Sequence, residues 1–391
     1  MILVLFIKII QKSISLLKEI PMKICIDARI PNKGGIRTYT TYLLENLINI
    51  DSGNQYYIFY DYDQGKRGFK DAIERIVPSK SKIIWILWSQ TILPLFLRRH
   101  KIDIFHSFKH VGALLSSSKT LITIHDAGPF LFPDAWSSSE RIYWQTMFRL
   151  AGKMMDGVIT VSETAKKSLI KALSIPAEKI FVTYNGIDHT RFKEIQDVQI
   201  KNSISNKYNL PDAFIFWVGL MFKTKNVETL IRAYAKLKNN KAISHKLVLG
   251  GRKGNIYLDL KNLIEKLGIT KDVIFPGFIA DEDLPVIYNL ADVFVFPSSH
   301  EGFGIPPIEA MASGTPVIAS NSYAHPEIFK DAAILFDTFN SDALAKEIEH
   351  VLMNESLANS LKEKGLIHCQ KYSYKKCAED TLNIYHKIYE L

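Results

Sequence analysis

A chain of 391 residues, 47% of them hydrophobic, is long enough for two or three domains with real cores. Its three cysteines, Cys25, Cys369 and Cys377, have neither zinc spacing nor the pattern of a disulfide framework, which excludes a disulfide-stapled scaffold and leaves reduced thiols. The formal charge of +9 is lopsided: residues 1–190 hold 25 Lys and Arg against 16 Asp and Glu, whereas residues 191–391 hold 24 of each.

Residues 1–21 begin apolar and then carry Lys8, Lys12 and Lys18, which fits an amphipathic helix lying at an interface better than a span of about 20 apolar residues. No small-residue cleavage site precedes Met22, so a secretory signal is not expected. A translation start at Met22 explains the same segment without a helix. From Met22 onward, short β-branched strands alternate with helical patterns. They are KICIDAR at Lys23, IDIFHSF at Ile102, TLITIHD at Thr120 and GVITVS at Gly157, then FIFWVG at Phe214, KLVLGG at Lys246 and VIFPGF at Val273. This alternation predicts an α/β fold of two doubly wound, Rossmann-like domains facing across a cleft. The expected division is an amino-terminal domain over 22–189, a polar linker over 190–212, a second domain over 213–371 and a closing helix over 372–391.

The segment from Ala291 to Pro316, ADVFVFPSSHEGFGIPPIEAMASGTP, carries the most chemistry. Asp292 to Phe296 reads as a buried parallel strand ending at Pro297. Gly302 and Gly304 let the backbone turn and approach a ligand, and Pro306 and Pro307 open a helix through Ala312. Amides near Phe303, Gly304 and Ile305 then face an anion, and a helix amino terminus favours a diphosphate. Glu301 and Glu309 can each accept two sugar hydroxyls, one from a hexose and the other from a ribose. A capped helix with acids balancing its dipole is the plainer alternative, but it does not need two glycines, two prolines and two glutamates in this order.

At these residues the chain resembles the retaining glycosyltransferases of the GT-B fold, family 4, whose signature is a Glu-x7-Glu pair that Glu301 and Glu309 match. The resemblance extends over nearly all of Met22 to Leu391. It includes GGIRTYTTYLLENL at Gly34, TIHDAGPFLFPD at Thr123, TVSETAKKSL at Thr160, VTYNGID at Val182 and WVGLMFKTKNVETLIRAY at Trp217. It implies that Gly34 and Gly35 approach the donor phosphate and that Lys225 neutralises the leaving diphosphate, a plain surface lysine being the alternative. Gly219 and Lys223 would adjoin the donor, and the backbone near Gly277 and Phe278 would read the base. His125, at a strand end beside Asp126, would line the sugar's reactive face, or else be a satisfied core histidine. The chain departs from the family where an arginine often accompanies the lysine. Those positions hold Thr224 and Leu220, and Lys223 is the substitute point charge. Gly34-Gly35 lacks Gly-x-Gly-x-x-Gly spacing, which counts against an NAD enzyme. The Asp-x-Asp triplets at Asp61 to Asp63 and Asp281 to Asp283 read as turn and cap residues rather than metal ligands.

A basic half can meet nucleic acid, an anionic membrane or an acidic substrate. No nucleic-acid fold signature accompanies it, so the membrane surface is expected. Arg98, Arg99 and Lys101, following the apolar run WILWSQTILPLFL, are candidate contacts with Lys166, Lys167 and Lys171, against the alternative of a solvated face. The expected function is a cytoplasmic transferase, peripheral at the inner face of the plasma membrane. It moves a hexose, mannose first, from a nucleotide sugar to a lipid-linked or polysaccharide acceptor, with no metal or other cofactor. Two further readings are a catalytically weak sugar-nucleotide-binding scaffold and a nucleotide-sugar epimerase. Hydrolysis is disfavoured because both glutamates lie on one side, by the phosphate-binding helix, rather than flanking a bond.

Overall fold

The computed structural model describes residues 21–29, 34–61, 65–77, 82–108, 112–132 and 137–391. The segment 1–21 expected to lie at an interface is outside them, Pro21 apart, as is Asp63 of the first acidic triplet. The strands are β1 (Lys23–Asp27), β2 (Gln55–Tyr60), β3 (Ala72–Ile76), β4 (Ile104–Ser107), β5 (Lys119–Thr123), β6 (Gly157–Thr160) and β7 (Ile180–Val182). After them come β8 (Phe214–Val218), β9 (Lys246–Gly250), β10 (Val273–Gly277), β11 (Val293–Phe296), β12 (Val317–Ser320) and β13 (Ile334–Phe336).

They form two wholly parallel sheets, ordered β3-β2-β1-β4-β5-β6-β7 and β10-β9-β8-β11-β12-β13, so the expected pair of doubly wound sheets is present. Parallel strands covered on both faces must be apolar throughout, which is why these runs stand out in the sequence. In the second sheet Phe214, Phe216, Phe294 and Phe296 enter one core, while Ile215, Trp217, Val293 and Val295 enter the other, the two-residue alternation of a pleated strand. Strand order reverses beside β1 in the first sheet and beside β8 in the second. Ligands of open α/β sheets bind at the carboxyl ends of strands at such points.

The helices that position the site are α1 (Gly35–Ile50), α2 (Lys82–Gln90), α3 (Ile92–Arg99), α4 (Glu163–Leu173), α5 (Val198–Tyr208), α6 (Leu284–Leu290), α7 (Ile305–Ala312), α8 (His325–Phe329) and α9 (Tyr374–Tyr389). Helix α5 lies inside the stretch read as a polar linker. Its Ile204 and Tyr208 pack on the second sheet's core, and Lys207 and Tyr208 both donate to the Asp283 carboxylate, at 2.6 and 2.7 Å. Asp283 does precede α6, but its side chain serves α5 rather than capping α6. Helix α9 returns to the first sheet, where Cys377, Ala378, Tyr385 and Ile388 join Tyr39, Leu43 and Leu47 of α1 in one core. All three cysteines are buried and free.

Candidate active site between the two sheets

The loops after β8 and β11 meet at the second sheet's reversal point. Asn226, buried and left-handed at φ 51°, donates through Nδ2 to the Pro297 carbonyl at 3.1 Å and accepts from Thr229 Oγ1 at 2.8 Å. The Thr224 carbonyl accepts from the Ser299 amide at 2.8 Å and from its hydroxyl at 3.1 Å. These bonds fix Lys225 opposite Glu301, and its ammonium donates to the Glu301 carboxylate. Lys223 is exposed and stands outside this pair. Asn226 and Ser299 were not singled out from the sequence, although the Asn following Lys225 is a left-handed turn signal.

The two glycines after Glu301 have different physical tasks. Gly302 approaches the first domain, not a ligand: a Cβ there would lie 2.3 Å from the His125 carbonyl oxygen, and the Gly302 carbonyl accepts from Ser162 Oγ at 2.7 Å. Gly304 precedes α7 at φ 92°, where a Cβ would also lie 2.9 Å from the Phe329 ring. The Phe303 side chain is buried and meets the Tyr372 ring edge-on at 5.2 Å, so only its backbone faces the cleft loop. Pro306 and Pro307 start α7, so that turn offers fewer N–H groups than an ordinary helix. The amides of Phe303, Gly304 and Ile305 donate to no acceptor among the described residues.

Across the cleft, Gly34 (φ 88°) opens α1, and a Cβ on Gly35 would lie 3.8 Å from Ile305 Cδ1. The amino termini of α1 and α7 therefore converge from different domains, each carrying about half a positive charge. No Cβ on Gly34 would meet anything described within 4 Å, so this edge leaves backbone open to a ligand. His125 follows β5, half-buried, with its ring edge-on to Tyr39 at 4.8 Å. Its neighbour Asp126 accepts from the Gly128 amide at 2.7 Å and lies 3.8 Å from Nε2 of the buried His300.

Glu309 is buried in α7, and Tyr288 OH donates to its carboxylate at 3.1 Å. Desolvation pushes its carboxyl up to about 7, against the lowering influence of Tyr288 and Arg191. Arg191 itself bridges the domains, donating to Tyr42 OH of α1 and to the Asp281 carbonyl. A second tie is the Glu327 carboxylate in α8, which accepts from the amides of Glu163 and Thr164, from Thr164 Oγ1 and from Tyr184 OH, at 2.7–3.0 Å. Neither tie is visible in sequence, because the partners are 90 or more residues apart.

The turns ending β8, β9 and β10 are knitted by close backbone contacts. Cβ atoms on Gly251 and Gly254 would lie 2.0 and 2.1 Å from the carbonyl oxygens of Gly219 and Met221. The Gly251 amide donates to the Gly277 carbonyl at 2.8 Å. Beside them Phe278 is exposed, and the Arg252 guanidinium lies 4.4 Å from its ring centroid. Gly251, Arg252 and Gly254 were missed, although two glycines flanking a basic pair after a strand are a recognisable signal. Among the described residues no group of three His, Cys, Asp or Glu could hold a metal ion.

Two family models match the chain: Glycosyltransferase Family 4 over residues 33–191 and Glycosyl transferases group 1 over residues 199–367. The chain is 28% identical over 268 residues to O-antigen chain mannosyltransferase B of Escherichia coli, covering 68% of this chain and 70% of that protein. It is 27% identical over 289 residues to O-antigen chain mannosyltransferase RfbU of Salmonella typhimurium, covering 72% and 75%. HepE of Anabaena, solved with UDP and glucose, has a TM-score of 0.73 at 19% identity, over 94% of this chain and 100% of that one.

Proposed function

Since the chain belongs to the GT-B glycosyltransferases of family 4, we propose that its cleft transfers a hexose, with retention of anomeric configuration and without a metal, from a nucleotide sugar to a glycan acceptor. The observation that carries this reading is the Lys225–Glu301 pair, set beside the converging amino termini of α1 and α7. Those termini attract a diphosphate, and Lys225 leaves Glu301 to neutralise it as charge builds on the leaving oxygen. Glu301, released, accepts hydroxyls of the hexose. Glu309 accepts those of the ribose, and the base lies by Gly277 and Phe278.

The bond from the anomeric carbon to the diphosphate oxygen breaks, and the acceptor oxygen bonds that carbon on the same face. The acceptor's proton passes to a donor phosphate oxygen, so no separate protein base is needed. His125 lines this face from the first domain. The mannosyltransferase relatives support mannose as the hexose and a surface polysaccharide or lipid-linked acceptor. A lipid-linked acceptor places the enzyme peripherally at the inner face of the membrane. No helix among the described residues is long and apolar enough to cross one.

The test is thermal unfolding with GDP-mannose, UDP-glucose, UDP-N-acetylglucosamine, dTDP-rhamnose and the free nucleotides, with and without chelator, on wild type and Glu309→Ala. Ligands that bind only the folded state raise its apparent stability. A shift with one nucleotide family that survives chelator and is lost in Glu309→Ala supports the reading and names the base. No shift with any nucleotide overturns it. Thr224 and Leu220 favour a second reading, a weakly active sugar-nucleotide-binding subunit, since exposed Lys223 stands apart from the Lys225–Glu301 pair. A large gain in turnover in Thr224→Arg supports that reading, and no gain supports a competent site.

A further inference from the structure

We propose that the outer face of α2 and α3 is a docking ridge that inserts apolar side chains into a bilayer bearing anionic headgroups. Ile84 and Leu87 on α2 are 52% and 58% exposed, and Ile92 and Leu95 on α3 are 55% and 68% exposed. Leu115, 72% exposed, is brought alongside by Gln90 at the end of α2, whose side chain donates to the Gly112 carbonyl at 2.9 Å and accepts from the Leu114 amide at 3.0 Å. Elsewhere Leu258, Phe339 and Ile367 stand on separate segments, and Ile142, Leu150 and Met154 are spread along the helix Ser138–Met154. Four on two consecutive helices, with Leu115 beside them, mark an interaction surface.

The inner faces of the two helices cannot exchange with the outer ones. Arg29 is fully buried and gives two 2.7 Å bonds to the Asp27 carboxylate; its guanidinium lies 4.1 Å from the Trp88 ring centroid and 3.3 Å from Ser89 Oγ. That buried pair holds Trp85, Trp88 and Ser89 of α2 inward. Leu93 and Leu97 of α3 are buried with Phe59 and Phe105. Ile92, Leu95 and Arg99 follow at helical spacing and share the outward stripe, so the apolar ridge runs into a cationic end.

Charge identifies the occupant. Residues 82–102 contain Lys82, Arg98, Arg99 and Lys101 and no Asp or Glu. A second copy on this ridge would set like charge against like, whereas an anionic leaflet complements it. Arg29 and Asp27 stand at the carboxyl end of β1, the edge that also carries Gly34 and His125. The α2 end of the ridge lies by that edge through its contacts with Arg29, and the cationic end of the ridge lies at the amino end of β1, where the Lys23 ammonium donates to the His100 carbonyl at 3.4 Å. The docking rests on the membrane-acceptor part of the reading above, and its readout is separate from donor binding.

The experiment is sedimentation of the full chain with phosphatidylcholine vesicles and with phosphatidylcholine–phosphatidylglycerol vesicles, at low and high salt. Leu87→Ser/Leu95→Ser and Arg98→Gln/Arg99→Gln are compared with wild type, and the fold of each is checked by circular dichroism and thermal unfolding. The ridge predicts that the serine variant binds both vesicles at least tenfold more weakly. The glutamine variant loses only the salt-sensitive gain on phosphatidylglycerol. A wild type that stays in the supernatant, a serine variant that sediments like wild type, or a wild-type dimer that the serine variant dissolves each overturns the proposal. Nucleotide thermal shifts on the same proteins tell this failure from that of the transferase reading.

Discussion

The two walls of the cleft are built in opposite ways. On the second domain's wall, Lys225 and Glu301 are fixed by loops that bond to one another, and the turns ending β8, β9 and β10 touch backbone to backbone at Gly219, Gly251 and Gly277. The first domain offers open backbone at Gly34 and a half-buried His125. A wall fixed before its ligand arrives suits one recurring guest, a nucleotide diphosphate, because no ordering remains to be done on binding. An open wall suits a guest that differs from relative to relative, such as an acceptor.

That contrast breaks most sharply at Lys225. Lys225→Ala is expected to lower turnover by about 10²–10³-fold, the usual loss of one preorganised charge partner in the transition state, measured with saturating donor. Glu301→Gln, which frees the ammonium and removes a carboxylate from the proposed diphosphate site, should bind free nucleoside diphosphate more tightly while losing transfer. Isothermal titration reads the first effect, and weaker binding would count against the proposed exchange of partners.

Gly302→Val comes next. Its Cβ would enter the space of the His125 carbonyl, so the walls must separate. A displacement of about 1 Å costs on the order of a hundredfold in rate. Turnover should fall further than nucleotide binding, because the bonds that fix Lys225 opposite Glu301 do not involve Gly302. A variant as active as wild type would show that the walls need not close as seen.

Glu327→Ala removes an acceptor of four hydrogen bonds that hold α8 to the amino terminus of α4 and to Tyr184. Bonds to a charged group contribute about 1.5–3 kcal/mol, and the partly exposed amides recover some of this from water, so a loss of about 2 kcal/mol in denaturant unfolding is expected. Small-angle scattering should show the domains farther apart.

The smallest effect is a pH dependence. The Glu309 carboxyl is raised from 4.5 to about 7 by burial, so the folded chain holds its proton where the unfolded chain has lost it. Its contribution to stability is full below about 4.5 and is lost as pH rises through about 7. The proposed ribose contact predicts the opposite sign for nucleotide binding, because hydroxyls donate to the ionised form. Nucleotide affinity should rise between pH 6 and 8 by about tenfold for each unit that bound ribose lowers the carboxyl's pKa. Glu309→Gln should flatten both slopes, and an unchanged profile would exclude this carboxyl as their source.

The sequence made legible what is local and repeated. Strands such as FIFWVG and DVFVF are apolar on both faces because both faces are covered, and the glutamates eight residues apart span one loop and one helix. Helix α5 was passed over because no residue in it is fully buried, so VQIKNSISNKY carries little apolar periodicity. Gly302 was legible as a close approach but not for what it approaches, since His125 lies far off in the chain. Arg191 and Glu327 were hidden for the same reason. A bond across two domains leaves no spacing in either partner's neighbourhood.

The chain crosses between domains twice, and the crossings are joined. Ile187 pairs with Ser373 in a parallel bridge, and a Cβ on Gly186 would lie 2.0 Å from the Tyr374 amide nitrogen. Two connections pinned at one point behave as a single pivot, so the opening of the cleft reduces to rotation about that point. Probes on the rim, at Gly35 and at Ile305, then read how far the domains have turned about it.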